Sequence, residues 1–223
     1  MTLLTRWPAV PYVLPFALFI LLLAVLPMTG VDPLTDQIIR LAVVGGALLL
    51  VSRSVLDFTV RHWLGTLAVG VGVFLVWIAP DLIFAGYRDS WLFQHSLLGG
   101  GGSSLAEAAR SDPATLVLRS LRAAILVPIV EELFWRGWLP RWISNPDFQK
   151  VALGSYTRAA FWITALLFAS EHGVYWDVGL LAGLSYNGWM WKTRSLGDCI
   201  AAHAVTNACL SGYVIMTGEW QYW

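Results

Sequence analysis

Hydrophobic runs of membrane-spanning length alternate with short polar connections along most of the chain. A transmembrane helix needs about 20 predominantly apolar residues to cross a bilayer. The apolar runs predict seven such helices, near residues 10–28, 37–53, 62–84, 114–136, 157–173, 174–191 and 197–217. The pattern therefore predicts an all-α, polytopic transmembrane helical bundle of about seven spans, within a range of six to eight.

The amino-acid composition also indicates a membrane protein, and the charge balance argues against nucleic acid as a partner. Of the 223 residues, 57% are hydrophobic and only 13% are charged, whereas a soluble domain carries about 25% charged residues. The 14 basic and 14 acidic residues cancel, so no basic field favours nucleic acid as a partner. We expect an integral membrane protein whose partners are membrane lipids and membrane-associated molecules.

The connections between the predicted spans carry unequal numbers of basic residues. One set of alternate connections has eight, namely Arg6, Arg53, Arg61, Arg141, Lys150, Arg158, Lys192 and Arg194, and the other set has two, Arg88 and Arg110. Because cytoplasmic loops are rich in Lys and Arg, the N-terminus is predicted to be cytoplasmic and the C-terminus external. Arg119 and Arg122 fall inside the fourth predicted span, so either that helix starts near Ala123 or both side chains extend to an interface.

The longest polar connection divides the predicted spans into two groups within one structural domain. Residues 1–113 hold the N-terminal spans and a loop with four consecutive glycines, and residues 114–223 hold the remaining spans. After the glycines we expect a short interfacial helix capped by Ser103 or Ser104. Asp112 and Pro113 then predict the start of the fourth span.

Two adjacent carboxylates and an arginine lie inside the otherwise apolar fourth span. A charge at the centre of a bilayer costs roughly 2.5–3.5 kcal/mol, and such residues usually mark a functional site. Glu132 and Arg136 are four residues apart, the spacing of an ion pair on one helix face. Glu131 points about 100° away and is expected to face a cavity. A purely structural Glu132–Arg136 pair would explain Glu131 poorly.

Further polar residues lie in the later predicted spans. Phe168 and His172 share one helix face, and His203 and Asn207 share another, because each pair is four residues apart. With Glu131, the two histidines could bind zinc around an open position for water. Alternatively, Glu131 and a histidine could activate water directly, with Asn207 as oxyanion donor. The metal-free alternative is favoured slightly because the zinc ligands would come from three separate helices, yet both lead to hydrolysis.

These residues form three ordered motifs. Glu131 to Arg136 reads EExxxR, Phe168 to His172 reads FxxxH, and His203 to Asn207 reads HxxxN. In order and spacing they resemble the CAAX-prenyl-protease and bacteriocin-processing (CPBP, or Abi) family of intramembrane proteases, over about residues 115–217. The stretches 179–187 and 193–196 resemble the bacterial branch found beside exosortase systems.

The resemblance implies an intramembrane endopeptidase that hydrolyses a peptide bond of a membrane-associated or lipid-modified protein or peptide. It implies that Glu131 and His172 activate the water, and that His203 and Asn207 complete the site and stabilise the oxyanion. Three further residues, Glu132, Arg136 and Phe168, would support them. It also implies location in the plasma (inner) membrane of a bacterium, with an exosortase-type system as a partner. Zinc is left open as a cofactor.

Two alternatives compete with proteolysis. A non-proteolytic membrane scaffold or regulator could use the polar cluster for packing, and it would tolerate Glu131→Gln. A proton-coupled transporter could use Glu and His to relay protons, but it would predict inverted repeats and matching broken helices. The sequence has no such repeat.

Overall fold

A computed structural model describes residues 6–94 and 103–223, and these fold as seven helices with no strand among them. The helices are α1 (Val10–Met28), α2 (Pro33–Ser52), α3 (Trp63–Ile83), α4 (Pro113–Ser144), α5 (Arg158–Ser170), α6 (Trp176–Thr193) and α7 (Leu196–Thr217). The predicted all-α bundle is therefore confirmed. His95 and the four glycines at 99–102 lie outside the described residues.

Five of the seven helices are long and apolar enough to cross a membrane: α1, α2, α3, α4 and α7. Helix α5 is apolar but has only 13 residues, about 20 Å at 1.5 Å per residue. It packs along α6, to which the turn Gly173–Tyr175 joins it. The chain is thus an integral membrane protein in which α5 and α6 form a helical hairpin within the bundle.

Helix α4 is longer than the sequence pattern predicts. The apolar run predicts an end near residue 136, and one interpretation of Arg119 and Arg122 predicts a start near Ala123. The helix instead runs from Pro113 to Ser144. Asp112 caps its first turn by accepting a hydrogen bond from the backbone N–H of Thr115 at 3.0 Å. The extra length at the C-terminal end brings Glu131 close to the middle of the helix.

Two wide π-helical segments interrupt α4, at Arg122–Leu126 and at Leu133–Trp138. Each is followed after one residue by a proline, Pro128 or Pro140. Proline has no N–H to donate to the carbonyl four residues earlier, so a regular helix cannot pass through it unchanged. The π segments flank Glu131 and Glu132, and such segments are frequent at functional sites.

Small residues allow the helices around the site to approach closely. A Cβ atom added to Gly70 of α3 would lie 2.6 Å from the backbone oxygen of Ala202 in α7. In the hairpin, a Cβ on Gly183 would lie 3.2 Å from the Ala165 oxygen and from Phe168 Cδ1. Helix α7 is therefore held against α3, and α6 against α5, at distances that larger residues would not permit.

Arg119 and Arg122 lie within α4 and are buried, so the helix does not begin after them. Arg119 Nη2 donates to Ser104 Oγ at 2.8 Å, and Arg122 Nε donates to Gln37 Oε1 of α2 at 2.8 Å. The expected interfacial helix is only a short 3₁₀ segment, Glu107–Ser111, which has no side-chain cap.

Candidate active site

A cavity of about 170 Å³ lies between α3, α4, α5, α6 and α7. Its wall includes the four residues that the sequence analysis assigned to catalysis: Glu131, His172, His203 and Asn207. A volume of roughly 10–15 Å³ by this measure holds one water molecule, so the cavity has room for several. Residues from three distant parts of the chain thus meet at one cavity.

Glu131 and Glu132 occupy different environments, as their 100° separation predicts. Glu131 lines the cavity, and its buried Oε2 has no hydrogen-bond partner among the described residues. Glu132 was also expected at the cavity, but it does not contribute to the wall. Its side chain is fully buried behind it, where it bonds to protein groups. Of the two adjacent glutamates, Glu131 is therefore the one that can contact a molecule in the cavity.

Arg136 fixes the position of Glu132. The predicted ion pair forms, with Nη1 3.0 Å from Glu132 Oε1 and both side chains fully buried. The remaining nitrogens donate to Asn187 Oδ1 at 3.1 Å and to the Gly183 carbonyl at 3.3 Å, both in α6. The guanidinium also lies 4.5 Å from the centre of the Phe168 ring. One arginine thus connects α4, α5 and α6 directly behind the cavity.

His203 is held by Glu132 from the adjacent helix. Its Nδ1 lies 2.9 Å from Glu132 Oε1. Because a paired carboxylate accepts hydrogen bonds, Nδ1 carries the proton, and Nε2 is left for the cavity. The ring of Tyr186 stacks on the imidazole at 5.0 Å, and the Tyr186 hydroxyl donates to Thr206 Oγ1 at 2.7 Å. The imidazole is therefore fixed both by a hydrogen bond and by stacking.

His172 is oriented by its own chain. Its Nδ1 lies 2.7 Å from the carbonyl oxygen of Phe168, four residues earlier. A carbonyl only accepts, so Nδ1 must donate, and Nε2 of the neutral ring is left as a proton acceptor. The imidazole packs edge-on against Trp77 at 5.2 Å. The FxxxH spacing thus sets the tautomer through the backbone of Phe168.

Asn207 connects α7 to the first π segment of α4. Its Nδ2 donates to the carbonyl oxygen of Ala123 at 2.9 Å. An amide nitrogen has two N–H groups, so one remains for another acceptor. Asn207 therefore ties two helices together at the edge of the cavity and keeps one donor available.

The last two residues of the described chain line this cavity. Tyr222 and Trp223 contribute to the wall, and the Tyr222 hydroxyl donates to Asp81 Oδ2 at 2.9 Å. Burial and this bond raise the pKa of Tyr222 above its ordinary value. Nearby, Arg88 bridges Asp81 of α3 and Asp177 of α6, each at 3.0 Å. Aromatic rings at the end of the chain therefore form part of the wall, and ion pairs connect α3 and α6 beside them.

The sequence analysis missed Tyr186, Asn187 and Glu171. Tyr186 and Asn187 lie in a stretch used only for its resemblance, and neither has a polar partner at helical spacing. Glu171 precedes His172, and its Oε1 accepts a hydrogen bond from Trp135 Nε1 at 2.9 Å. Trp135 lies four residues after Glu131 on the same helix face. Its indole N–H was the one sequence feature that could have indicated a hydrogen-bond acceptor such as Glu171 near the site.

The side chains do not form a metal site in this arrangement. Among the residues that the structure describes, no three His, Cys, Asp or Glu side chains form a group that could hold a metal ion. The suggested zinc ligands were Glu131, His172 and His203. They share the cavity wall without forming such a group, so no step through a metal is derived.

Fold and site together define a helical membrane protein with an internal cavity lined by a carboxylate, two imidazoles and an amide. Residues 113–209 match the family model described as Type II CAAX prenyl endopeptidase Rce1-like. The resemblance drawn from the three motifs, all of which lie in this stretch, is therefore confirmed, and the family is one of membrane proteases. Comparison with the curated proteins and with the solved structures gave no match.

Proposed function

We propose that this protein is an intramembrane endopeptidase that hydrolyses a peptide bond of a membrane-associated or lipid-modified protein or peptide. The observation that carries the proposal is the meeting of Glu131, His172, His203 and Asn207 at one cavity with room for water. The similarity of residues 113–209 to the CAAX prenyl endopeptidases supports the same reaction class.

Glu131 and His172 activate a water molecule. Glu131 has an unpartnered carboxylate oxygen, and His172 has its Nε2 available because Nδ1 is bonded to Phe168. The water donates its two protons toward these acceptors, and Glu131 takes one as the water oxygen bonds to the scissile carbonyl carbon. The proton is then given to the departing amine nitrogen as the C–N bond breaks.

Asn207 and His203 stabilise the negative charge that develops on the carbonyl oxygen. Asn207 contributes the N–H that is not bonded to Ala123. His203, held through Nδ1 by Glu132, donates to the same oxygen from Nε2 when both ring nitrogens carry a proton. Arg136 balances the charge of Glu132 and holds it in place.

The proposed location is the plasma (inner) membrane of a bacterium, with the N-terminus in the cytoplasm and the C-terminus outside. The unequal numbers of basic residues in the connections support this orientation. The resemblance of residues 179–187 and 193–196 to the exosortase-associated branch supports a role beside an exosortase-type system, in which the substrate would be an envelope protein.

Comparison of new protein C-termini in cell membranes tests the proposed function. Membranes would be prepared from cells that lack the gene and from cells complemented with the wild-type chain, Glu131→Gln or the control Glu107→Gln, which changes an exposed residue outside the cavity. We expect a set of C-termini that depends on the wild type, persists in the control and disappears in Glu131→Gln. If Glu131→Gln restores the full set, the chain acts as a scaffold or regulator instead.

A further inference from the structure

Three arginines are buried together where α2 packs against α4. Arg40 of α2 is 5% exposed, and Arg119 and Arg122 of α4 are each 8% exposed. Asp36 accepts two hydrogen bonds from Arg40, both at 2.7 Å. Within residues 6–94 and 103–223, no other carboxylate forms an ion pair with any of the three. The cluster therefore combines three positive charges with one negative charge.

No other aspartate or glutamate in the described part of the chain pairs with these arginines. Residues 1–5 and 95–102 contain no aspartate or glutamate. The other side-chain partners are neutral: Arg122 bonds to Gln37, while Arg119 bonds to Ser104 and lies 5.1 Å from the centre of the Trp223 ring. The backbone oxygen of Trp223 accepts a hydrogen bond from Ser104 N–H at 2.7 Å, and among the described residues Trp223 forms no ion pair with the cluster. Buried charges are normally paired, so the excess of arginines over ion-paired carboxylates at this place favours binding of an anion from outside the chain.

Two N–H groups in the cluster have no acceptor. Arg40 Nη1 and Arg119 Nε are buried and lack a hydrogen-bond partner in the described part of the chain. An unsatisfied donor on a charged group is more costly than one on a neutral group. The missing partner is therefore a hydrogen-bond acceptor as well as an anion.

The cluster lies near the ends of α2 and α4 that would meet one membrane surface. Helices α2 and α4 begin at Pro33 and Pro113, and the three arginines follow within about two and a half turns, roughly 9–13 Å along the axis. Helical side chains lean toward the N-terminus of their helix. The three arginines lean in this direction: Arg40 bonds to Asp36, Arg122 to Gln37 and Arg119 to Ser104. The guanidinium groups are thus nearer to the membrane surface than their backbones.

We propose that Arg40, Arg119 and Arg122 form a binding site for a phosphate group, supplied by the headgroup of a phospholipid or by inorganic phosphate. Guanidinium groups match the geometry of phosphate oxygens and bind them through paired hydrogen bonds. A phosphodiester headgroup carries one negative charge at neutral pH and inorganic phosphate carries between one and two, so either would reduce the excess positive charge of the cluster. The site is separate from the catalytic residues, although Trp223 contacts both Arg119 and the cavity.

The proposal has a consequence for the empty protein. With no anion bound, the three positive charges repel one another, so replacing one arginine with a neutral residue should not lower stability. If the arginines served only to hold α2 against α4, the same replacement would lower it. Stability with and without phosphate therefore separates a binding site from a packing contact.

Thermal unfolding of the purified full chain in a neutral detergent tests the site, after washing until mass spectrometry detects no bound phospholipid. The probes are inorganic phosphate and a short-chain phosphatidylglycerol. The variants are Arg119→Gln, Arg122→Gln and the control Arg53→Gln, whose side chain is exposed. With a probe at about 100 times its Kd, we expect the wild-type and control midpoints to rise by about 5 °C or more. The two cluster variants should lose most of this rise.

A response to phosphatidylglycerol alone identifies a lipid headgroup as the ligand, and a response to inorganic phosphate identifies free phosphate as sufficient. The proposal is overturned if neither probe shifts the wild type, or if both cluster variants respond as the wild type does. It is also overturned if both cluster variants are less stable than the wild type without any probe.

Discussion

Nδ1 of His203 lies 2.9 Å from Oε1 of Glu132, the same oxygen that lies 3.0 Å from Nη1 of Arg136. One carboxylate oxygen thus joins the HxxxN motif of α7 to the EExxxR motif of α4. The geometry assigns Glu132 to positioning, because the carboxylate is fully buried and its partners are protein groups. Glu131 is the neighbouring carboxylate that reaches the cavity.

The division between the two glutamates predicts different failures. Glu132→Gln should lower stability by about 3–5 kcal/mol, because Arg136 would remain buried without its ionic partner. Glu131→Gln should keep the folded yield, since its carboxylate has no hydrogen-bond partner to lose in the described structure. Thermal unfolding and monodisperse yield in detergent measure both. An equal loss of stability in the two variants would contradict this assignment.

Close packing of α3 on α7 is tested by a pair of neighbouring glycines. Gly70→Ala should destabilise the protein by about 1–3 kcal/mol, because the new Cβ would lie 2.6 Å from the Ala202 oxygen and 2.7 Å from Val205 Cβ. Gly72→Ala is the control, since nothing lies within 4 Å of its Cβ position. It should be neutral or stabilising by up to about 1 kcal/mol. Denaturation midpoints that do not separate the two variants would argue against this packing.

Local spacing made part of this architecture predictable. Seven apolar runs gave seven helices, and the four-residue spacing of Glu132 and Arg136 gave their ion pair, because helix geometry fixes which residues share a face. Asp112 likewise marked the start of α4, through a cap that depends on neighbouring residues alone.

Contacts between helices were not predictable in the same way. Three features depend on how helices are aligned against one another. They are the hydrogen bond between His203 and Glu132, the hydrogen bond from Asn207 to Ala123, and the cluster of Arg40, Arg119 and Arg122. Sequence spacing does not encode that alignment. The end of α4 was misjudged because the apolar run ends near residue 136, whereas the helix continues through Arg141 to Ser144.

Asn207 should contribute chiefly to the rate of the chemical step. Asn207→Ala removes one proposed oxyanion donor, a change that typically lowers kcat about 100- to 1,000-fold. KM should change little, because the interaction strengthens in the transition state. Steady-state kinetics on a cleaved peptide measures both constants, with Asn145→Ala, on the connection after α4, as the control. A raised KM with unchanged kcat would instead assign Asn207 to substrate binding.

The central claim is that Glu131 and His172 activate the water that cleaves the peptide bond. The most direct measurement is single-turnover cleavage by purified, reconstituted protein in ¹⁸O-labelled water, following the label in the new carboxylate by mass spectrometry. Wild type and the exposed-site control Glu107→Gln should form labelled product at the same rate. Glu131→Gln and His172→Ala, folded as judged by thermal unfolding, should each be slower by about 100-fold or more. Labelled product formed by either variant at the wild-type rate would contradict the account.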